Sequence, residues 1–415
     1  MDGWNSVRMP KSVLRLGSVS VMALALAAGL AACGSSGGGG AASKGPIVIG
    51  VNDNLRGSLA QVGAQHVAEA QAAAAYFNAQ GGIGGRTLKV QSFDAGEIGS
   101  GGAAPNTLQV QRAGALVMFG PTTSGDCEAA QPIVDKAQIP FICTYPNIDQ
   151  ITSPNSYVFG SNPPLTMAMS SVVSLLKKQT GLSALNVAYL GNYTPSSVTM
   201  PPKLKAVGAQ NGVKVIYSDT MPQTATSVSS YVSQIAAAKP NGVVIAIFPN
   251  FVAPFVEGLR GAGYTGPIVT IAGVADYGTL HSVNDPGLFV QTVAPWLQPG
   301  ASTNTPIETA LLAQLAKAGL TTPEQINAAD GGTSFTAFLA TLNALKACGA
   351  NCTGAQLREK MFSTPYNAAG FAENFAFTPD LHQGFRSYHF YTVHGGNVVE
   401  VPGDYPLGTI GSNTP

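Results

Sequence analysis

Consecutive hydroxyl residues stand where a helix is predicted to begin. In FGPTTSGDC, Thr122, Thr123 and Ser124 follow an apolar strand, and the helix predicted next runs over residues 124–137. The N-terminus of a helix presents unpaired N–H groups and a partial positive charge, which suit a carboxylate. Two acidic residues in the first helical turn partly offset that potential. We predict ligand contacts at these hydroxyls, and helix capping by Ser124 is the alternative or additional role.

Two further loops supply candidate ligand residues. TYPNIDQ follows the next predicted strand and contains Tyr145 and Asn147. Tyr145 is predicted either to hydrogen-bond a ligand or to line the site without a polar contact. Arg56, in the loop after the first strand, is unusual in a chain with so few charges. It either pairs with an anionic ligand group or is a solvated loop charge, and we favour the second interpretation.

The N-terminal stretch has the layout of a bacterial export signal. A basic lead precedes an uncharged, mostly apolar run over residues 16–32, which is short for a membrane span of about 20 residues. Leu30-Ala31-Ala32-Cys33 resembles the lipobox of bacterial lipoproteins, which implies cleavage before Cys33 and lipid on its thiol. We therefore predict a signal peptide over residues 1–32 and a Gly/Ser-rich tether over residues 33–45. The alternative is an ordinary secretory signal with an incidental cysteine.

The remaining four of the five cysteines are typical of disulfides in an exported chain. They allow three pairings, and we favour the two local ones: Cys127 with Cys143, and Cys348 with Cys352. Metal binding is the rival interpretation. It is weak, because the Cys-x-x-x-Cys spacing has no accompanying His-x-x-x-His. The five histidines show no metal spacing, and we interpret them as structural.

The composition limits the classes of partner. The chain has 21 Lys plus Arg against 21 Asp plus Glu, and only 10% of its residues are charged. It therefore lacks the basic footprint of a nucleic-acid-binding protein. We expect a monomeric body on the extracytoplasmic face of the cell membrane, in the periplasm or at the cell surface. We expect no nucleic-acid partner and no cofactor.

Apolar strands and amphipathic helices alternate along the body. IVIGV, ALVMFG and GVVIAIF are typical of buried strands, and a polar loop is predicted between TLKVQSF and ALVMFG. This alternation predicts α/β layers around mostly parallel sheets. About a dozen strands are too many for one such sheet, so two lobes are predicted. After Trp296 we predict helices near residues 307–318 and 335–347, and then the strand pair SYHFYTV and NVVEV.

Four ordered blocks of sequence resemble bacterial branched-chain amino-acid substrate-binding proteins, which are type I periplasmic binding proteins that serve ABC transporters. The blocks are IVIGVNDNLRGSLAQVGAQHVAEAQAAAAYFNAQGGIGGRTLKVQSFDA, LVMFGPTTSGDCEAAQPIVDKAQIPFICTYP, VVIAIFPNFVAPFVEGLRGAGYTGPIV and GFAENFAFTPDLHQGFRSYHFYTVHGGNVVEV. The resemblance implies two Rossmann-like lobes joined by three crossing segments, which we place near Gly160, Val293 and Gln383.

The same resemblance implies a ligand cleft between the lobes and an ABC permease as partner. Lobe 1 is expected over residues 46–160 and 295–382, and lobe 2 over residues 161–294 and 383–415. Open α/β sheets bind ligands at the carboxyl ends of their strands, which favours the same cleft independently. Periplasmic binding proteins close by hinge bending.

The resemblance also implies residue roles. In the family the first-lobe loop grips the ligand's carboxylate, with Ser124 at the hydroxyl position, while a second-lobe tyrosine and an acid meet its ammonium. Tyr193 is approximately in the tyrosine's position. Gly273 stands near the expected acid, and Asp276 is displaced from it by three residues.

This departure bears on the ligand. Because an uncompensated buried ammonium is costly, either Asp276 reaches the ligand or the ligand is not an α-amino acid. Asn250 and Phe251 are candidates to line a neutral or aromatic site instead. We expect a small carboxylate-bearing or amide-like molecule, with amino acids as one option.

The sequence also bears on two other functional classes. An enzyme is disfavoured, because the sequence has no G-x-S-x-G, no H-E-x-x-H, no P-loop and no G-x-G-x-x-G that opens a helix. A ligand-sensing receptor, or an orphan binder of the same fold that is not coupled to transport, is the alternative to a transport receptor.

Overall fold

The computed structural model describes residues 45–146, 148–192, 195–222, 224–271, 273, 275–299, 305–328, 331–368 and 372–407. The predicted signal, Cys33 and almost all of the predicted tether lie outside these residues. Two predicted ligand residues, Asn147 and Tyr193, lie outside them as well. Among the helices of the described part, none combines the length and the apolar character that a membrane crossing requires.

The first part of the body builds a five-stranded, wholly parallel sheet. Its strand order is β2-β1-β3-β4-β5. The three shortest strands are buried along their whole length, as parallel strands covered on both faces are. The strands are β1 (Ile47–Asp53), β2 (Leu88–Asp94), β3 (Val117–Phe119), β4 (Phe141–Cys143) and β5 (Val158–Gly160). The helices are α1 (Ala60–Ala79), α2 (Ala103–Arg112), α3 (Ser124–Ala137) and α4 (Ile148–Thr152).

The prediction of a polar loop between TLKVQSF and ALVMFG is wrong, because helix α2 lies there. Its buried residues are Ala103, Thr107 and Val110, at spacings of four and three that place them on one face. Two of them are small or polar, and the preceding GSGG obscures the helix start, so the stretch reads as a loop.

The second part of the body repeats the alternation of strands and helices. The strands are β6 (Leu185–Asn192), β7 (Val213–Met221), β8 (Gly242–Ala246), β9 (Ile268–Thr270) and β10 (Leu288–Thr292). The helices are α5 (Met169–Thr180), α6 (Pro195–Gln210), α7 (Ser229–Ala238), α8 (Pro249–Gly261) and α9 (Tyr277–Val283). These five strands pair in parallel.

The C-terminal part returns to the first sheet and then completes the second. It contains α10 (Pro306–Lys317), α11 (Pro323–Ile326), α12 (Thr333–Cys348), α13 (Gly354–Ser363), β11 (Tyr366–Ala368), β12 (Ala372–Phe375), β13 (Ser387–His394), β14 (Asn397–Glu400) and β15 (Tyr405–Pro406). The two predicted helices and the final strand pair are confirmed as α10, α12, β13 and β14. Helices α11 and α13 and the β11–β12 hairpin were not predicted. The second sheet has the order β14-β13-β10-β9-β8-β6-β7, with β13 antiparallel to β10 and β15 paired with β13.

The chain passes between the two sheets three times. It leaves the first sheet after Gly160, returns after Thr292, and leaves again after Gln383. The first and third passages touch, since Gly160 and Gln383 form a parallel bridge. The second is tied to α12, because the Ala294 N–H donates to Thr333 Oγ1 at 3.1 Å. The α/β fold with two joined lobes is thereby confirmed, while the lobe boundaries stay predictions.

Helix α12 and one of the two disulfides pack against or join elements of the first sheet. Phe338 of α12 stacks on Phe119 of β3 with ring centroids 4.0 Å apart. The structure contains both favoured cysteine pairs, Cys127–Cys143 and Cys348–Cys352. The first joins α3 to the end of β4, the two elements that carry the predicted hydroxyl and tyrosine loops.

Candidate functional site

A small cavity, here called the inner cavity, lies at the carboxyl ends of strands from both sheets. Its volume is about 40 Å³. Its walls come from helix α1 and the segments after β1, β3 and β4 beside the first sheet, from the segments after β8 and β9 of the second, and from Ala328. It therefore lies between the two halves of the body. The lining residues are Leu59, Val62, His66, Thr122, Thr144, Tyr145, Pro249, Gly273, Ala275, Asp276 and Ala328.

The first-sheet wall rests on a buried aspartate–histidine pair. Asp53, the last residue of β1, is 0% exposed, and its Oδ2 lies 2.7 Å from Nδ1 of the equally buried His66. Its Oδ1 accepts hydrogen bonds from Thr122 Oγ1 at 2.7 Å and from the Asn54 N–H at 2.8 Å. Burial alone acts to raise the pKa of Asp53, but His66 and these hydrogen bonds outweigh it, so the pKa is lowered. The carboxylate is therefore ionised, and the hydroxyl group of Thr122 donates its hydrogen bond to it.

The Asp53–His66 pair continues into a series of hydroxyl groups. Ser334 Oγ of α12 lies 3.2 Å from His66 Nε2 and 3.2 Å from Ser161 Oγ, just after the first passage between the sheets. Asp53, His66 and Ser334 are connected in the order of a hydrolase triad. However, Ser334 is 1% exposed and does not line the inner cavity, so it offers no accessible nucleophile there. These hydrogen bonds instead connect Asp53, which holds Thr122, to Ser161 and Ser334 beside two of the passages between the sheets.

A glycine allows the hydroxyl loop to pack against Asp53. Gly120 has φ +76°, and a Cβ at this position would lie 2.8 Å from Asp53 Oδ2 and 2.6 Å from the Asn52 carbonyl oxygen. Only glycine readily adopts this positive φ and also leaves the space of the Cβ empty. The following Gly120–Pro121 peptide is cis. The turn brings Thr122 within hydrogen-bond distance of the carboxylate.

Thr123, not Ser124, caps helix α3. Thr123 Oγ1 accepts from the Asp126 N–H at 3.2 Å and donates to Asp126 Oδ2 at 2.8 Å. The alternative role of Ser124 as the helix cap is wrong, because the helix begins at Ser124 and the cap is the residue before it. Ser124 is buried and does not line the inner cavity. Asp126 places a carboxyl group in the first turn of this helix, and burial raises its pKa.

On the second-sheet wall, Gly273 meets the tyrosine predicted for the site. Gly273 has φ +78°, and a Cβ there would collide with the hydroxyl end of Tyr145. Tyr145 is half-buried and lines the inner cavity. The space that an acidic side chain at position 273 would need is therefore filled by the tyrosine.

Asp276 is the acidic residue that lines the inner cavity. It caps helix α9, since its Oδ1 accepts from the Thr279 N–H at 2.7 Å. Burial raises the pKa of Asp276, and the nearby Glu324 carboxylate adds to the effect. The ionised form is thus incompletely compensated by its surroundings.

The structure does not bring Arg56 or Asn250 to the inner cavity. Arg56 Nε lies 2.7 Å from Asp94 Oδ2, and the arginine side chain is 72% exposed. Asn250 is exposed at the start of α8 and lines a larger opening of about 370 Å³, here called the outer chamber. The two spaces share Leu59 and Pro249.

Sequence reasoning missed the pairing of Asp53 with His66. We interpreted His66 as structural, yet it is both buried and part of the cavity wall. The available signal was an acid at the end of the buried strand IVIGVND, which requires a partner when it is buried. Within the described residues, no group of three or more histidine, cysteine, aspartate or glutamate residues is arranged to hold a metal ion.

The model of the periplasmic binding protein family matches residues 46–397. The chain belongs to this family. Its members are solute-binding proteins, and the cavity between two sheets is where a periplasmic binding protein is expected to hold its solute. No curated protein matches the chain in sequence.

Solved structures agree on the fold of this periplasmic binding protein. The isoleucine complex of LivJ, a branched-chain amino acid transporter substrate-binding protein from Streptococcus pneumoniae, is 18% identical with a TM-score of 0.70, over 87% of this chain and 99% of that one. A valine-bound branched-chain amino acid ABC transporter protein from Thermus thermophilus is 16% identical with a TM-score of 0.72, over 88% and 98%. A benzoate-bound solute-binding protein from R. palustris is 17% identical with a TM-score of 0.70, over 88% and 97%. The type I fold is confirmed.

Proposed function

We propose that this periplasmic binding protein is a lipid-anchored extracytoplasmic receptor that captures a small molecule and delivers it to an ABC permease. The observation that carries the proposal is the convergence of Thr122 and Tyr145 from the first sheet with Gly273 and Asp276 from the second on one cavity. A solute held there touches both halves of the body.

The proposed mechanism is a shift between open and closed forms. A ligand that contacts both walls binds the closed form better and raises its population. We propose lobe 1 as residues 46–160 and 295–382, lobe 2 as residues 161–294 and 383–415, and bending at the three passages between them. The closed form would then dock on the permease.

The proposed ligand is a small carboxylate-bearing or amide-like molecule, with amino acids as one option. Gly273 supports the departure from an ordinary amino-acid site, since Tyr145 fills the place of the expected acid. Asp276 keeps an amino acid possible, because its carboxylate lines the same cavity. The structural neighbours bind isoleucine, valine or benzoate, so the fold accommodates both kinds of ligand.

The proposed ligand residues fall into two groups. Thr122, Tyr145 and Asp276 line the inner cavity, and Asn250 lines the outer chamber. Thr123, Ser124, Asn147, Tyr193 and Arg56 stay predictions from the sequence.

Calorimetric titration of the protein with isoleucine, valine, benzoate and benzamide tests the receptor function. Saturable binding of one member with 1:1 stoichiometry is expected, and cells that lack the protein should lose uptake of that member. Binding without any loss of uptake would favour the sensing alternative over transport.

The membrane anchor is tested separately. In the proposed receptor, lipid on Cys33 holds the body at the membrane and raises its effective concentration near the permease. Cys33→Ser should move the protein from the membrane fraction to the soluble extracytoplasmic fraction. Wild-type protein in the soluble fraction would contradict the anchor while leaving the receptor function intact.

A further inference from the structure

The inner cavity has room for only the polar head of a ligand. The hydroxyl groups of Thr144 and Tyr145 line it, together with the carboxyl group of Asp276. Because a hydroxyl group both donates and accepts hydrogen bonds, this lining suits a carboxylate or the charged end of an amino acid. The cavity holds about 40 Å³, whereas a single buried water needs roughly 10–15 Å³ of such volume. The rest of a larger ligand must therefore lie outside it.

The outer chamber adjoins this cavity and is large enough for the remainder. Leu59 and Pro249 line both spaces, and the chamber holds about 370 Å³. Its walls again come from both halves of the body, since Glu97 comes after β2 of the first sheet and Phe248 and Phe251 come after β8 of the second. A ligand that extends into the chamber therefore contacts both halves a second time.

The carboxylate of Glu97 is held in place in the chamber wall. Its Oε1 accepts hydrogen bonds from the Ser58 N–H at 3.2 Å and from Ser58 Oγ at 3.0 Å. Its Oε2 lies against Gly57, where a Cβ would be 1.4 Å from that oxygen. Gly57 also has φ +77°, so glycine is the residue that fits both the turn and the carboxylate. The position of this charge is thus set by the protein before a ligand arrives.

Glu97 lacks a charged partner in the described part of the chain. It is the charged residue among those described that line the chamber, and no described lysine, arginine or histidine forms an ion pair with it. Arg56, from the same loop as Ser58, pairs with Asp94 at 2.7 Å instead. A fixed carboxylate in a chamber that also presents phenylalanine rings suits a cation, because both groups attract positive charge.

We infer that the ligand carries a cationic group, an amine or a guanidinium, at the far end of an apolar spacer. Its polar head occupies the inner cavity, the spacer runs past Leu59 and Pro249, and the cation lies in the outer chamber against Glu97 and Phe251. This inference rests on the proposed receptor function and narrows its ligand class to molecules such as ω-amino acids and basic amino acids.

Matched probes test the inference by titration calorimetry of the full-length protein. The pairs are lysine with norleucine, 6-aminohexanoate with hexanoate, and 8-aminooctanoate with octanoate, so the two members of a pair differ only in the distal amine. An apolar chamber without a fixed charge would favour the member that lacks the amine, because burying an unpaired ammonium is costly. With Glu97 as its partner, the amine of at least one pair is expected to bind about fivefold or more tightly than its counterpart.

Two results would overturn the inference: no amine binds more tightly than its counterpart, or no amine binds at all. Isoleucine, valine and benzoate test the receptor function separately, because none of them carries a distal cation. Saturable binding of one of these three would leave the receptor function standing when the inference fails.

A change of charge at Glu97 tests its role directly. Glu97→Gln removes the charge and keeps an acceptor for Ser58, so the ratio of lysine affinity to norleucine affinity should fall about fivefold. Glu257→Gln is the matched control, since Glu257 is exposed on α8 and lines neither space. This control should leave the ratio unchanged. Equal reductions in both variants would attribute the preference to net charge and contradict the role of Glu97.

Gly57→Ala tests the same contact without a change of charge. The new Cβ would occupy the place of Glu97 Oε2 and displace the carboxylate, so the ratio should fall as it does in Glu97→Gln. Gly101→Ala is the matched control, because Gly101 has a similar φ of +75° and no atom within 4 Å of a Cβ. An unchanged ratio in both Gly57→Ala and Glu97→Gln would place the cation elsewhere and overturn the inference.

The aromatic wall of the chamber is tested at Phe251. Phe251→Leu keeps an apolar side chain and removes the ring, so lysine should lose about twofold to fivefold more affinity than norleucine. Phe251→Tyr keeps a ring and should restore the difference. Equal losses of lysine and norleucine in Phe251→Leu would contradict the place of the cation beside this ring.

Discussion

The two walls of the inner cavity are built on different principles. The first-sheet wall stands on the buried Asp53–His66 pair, and Thr122 is held on Asp53 by a hydrogen bond of 2.7 Å. The second-sheet wall presents backbone at Gly273 and the helix cap Asp276. The first wall is therefore set before a ligand arrives, while the second selects by shape and by one carboxylate.

This difference implies that the first wall contributes mainly to the stability of the fold and the second mainly to the selectivity for ligand. A buried aspartate–histidine pair is costly to break, because removing one partner leaves the polar group of the other buried without it. At Gly273 there is no side chain, and a Cβ there would collide with Tyr145. We expect substitutions in the first wall to lower the free energy of unfolding and substitutions in the second wall to lower the affinity for ligand.

The largest expected effect is on folding, from Asp53→Ala. This change leaves His66 and Thr122 without their buried partner, and it should lower the free energy of unfolding by about 3–5 kcal/mol. Urea denaturation measures the loss. Asp94→Ala is the matched control, since it breaks the ion pair with the 72% exposed Arg56 and should cost about 1 kcal/mol or less. Similar losses in both variants would contradict the special role of the buried pair.

The same pair predicts a pH dependence of stability. The pKa of Asp53 is lowered in the folded state, so its ionised form stabilises the fold above its unfolded pKa of about 3.9. That contribution is lost as the pH falls through the lower folded value. Asp53→Asn should therefore show a shallower loss of stability below about pH 4. An unchanged slope would indicate that other carboxylates dominate acid unfolding.

The Cys127–Cys143 disulfide, which joins α3 to β4 beside the first wall, should contribute more to stability and to ligand affinity than the Cys348–Cys352 disulfide. Cys127 and Cys143 are 16 residues apart, and Cys348 and Cys352 only 4. Opening each pair by double alanine substitution should cost about 3 and about 2 kcal/mol respectively. In the first variant alone the affinity for ligand should fall too, because the hydroxyl and tyrosine loops lose their link. Equal changes in affinity would show that the brace does not position the wall.

The sequence predicted the fold because its strands are short apolar runs of the kind that parallel sheets bury. It also predicted loops that line the inner cavity, since Thr122, Tyr145 and Asp276 each come after the carboxyl end of a parallel strand. It missed α2, whose buried face is made of small and polar residues. The pairing of Asp53 with His66, and the filling of the space over Gly273 by Tyr145, depend on tertiary contacts that no local pattern encodes.

On the second wall, Gly273→Ala should weaken binding of the tightest panel ligand at least tenfold. The new Cβ collides with Tyr145 when the walls meet, so the closed form is disfavoured. Gly85→Ala is the matched control, because Gly85 has a similar φ of +81° but nothing near a Cβ. It should cost about 1 kcal/mol of stability and leave affinity unchanged. In a Tyr145→Ala background, the additional effect of Gly273→Ala should shrink to that of the control.

The smallest expected effect is a change in the fluorescence emission of Trp296, which responds to movement of the second wall. Trp296 is 4% exposed, stacks on Tyr391 at 4.3 Å and meets Tyr277 edge-on at 5.5 Å. Tyr277 directly follows the cavity residue Asp276, so a ligand that engages Asp276 should shift the packing on the indole and change its emission slightly. The only other tryptophan is Trp4, and Trp4→Phe removes its signal where the N-terminal segment is retained. Tyr277→Leu should abolish most of the change without abolishing binding, because the indole is then uncoupled from Asp276. Constant emission during a titration that releases heat would mean that ligand does not move this wall, and that closure is carried by the first wall alone.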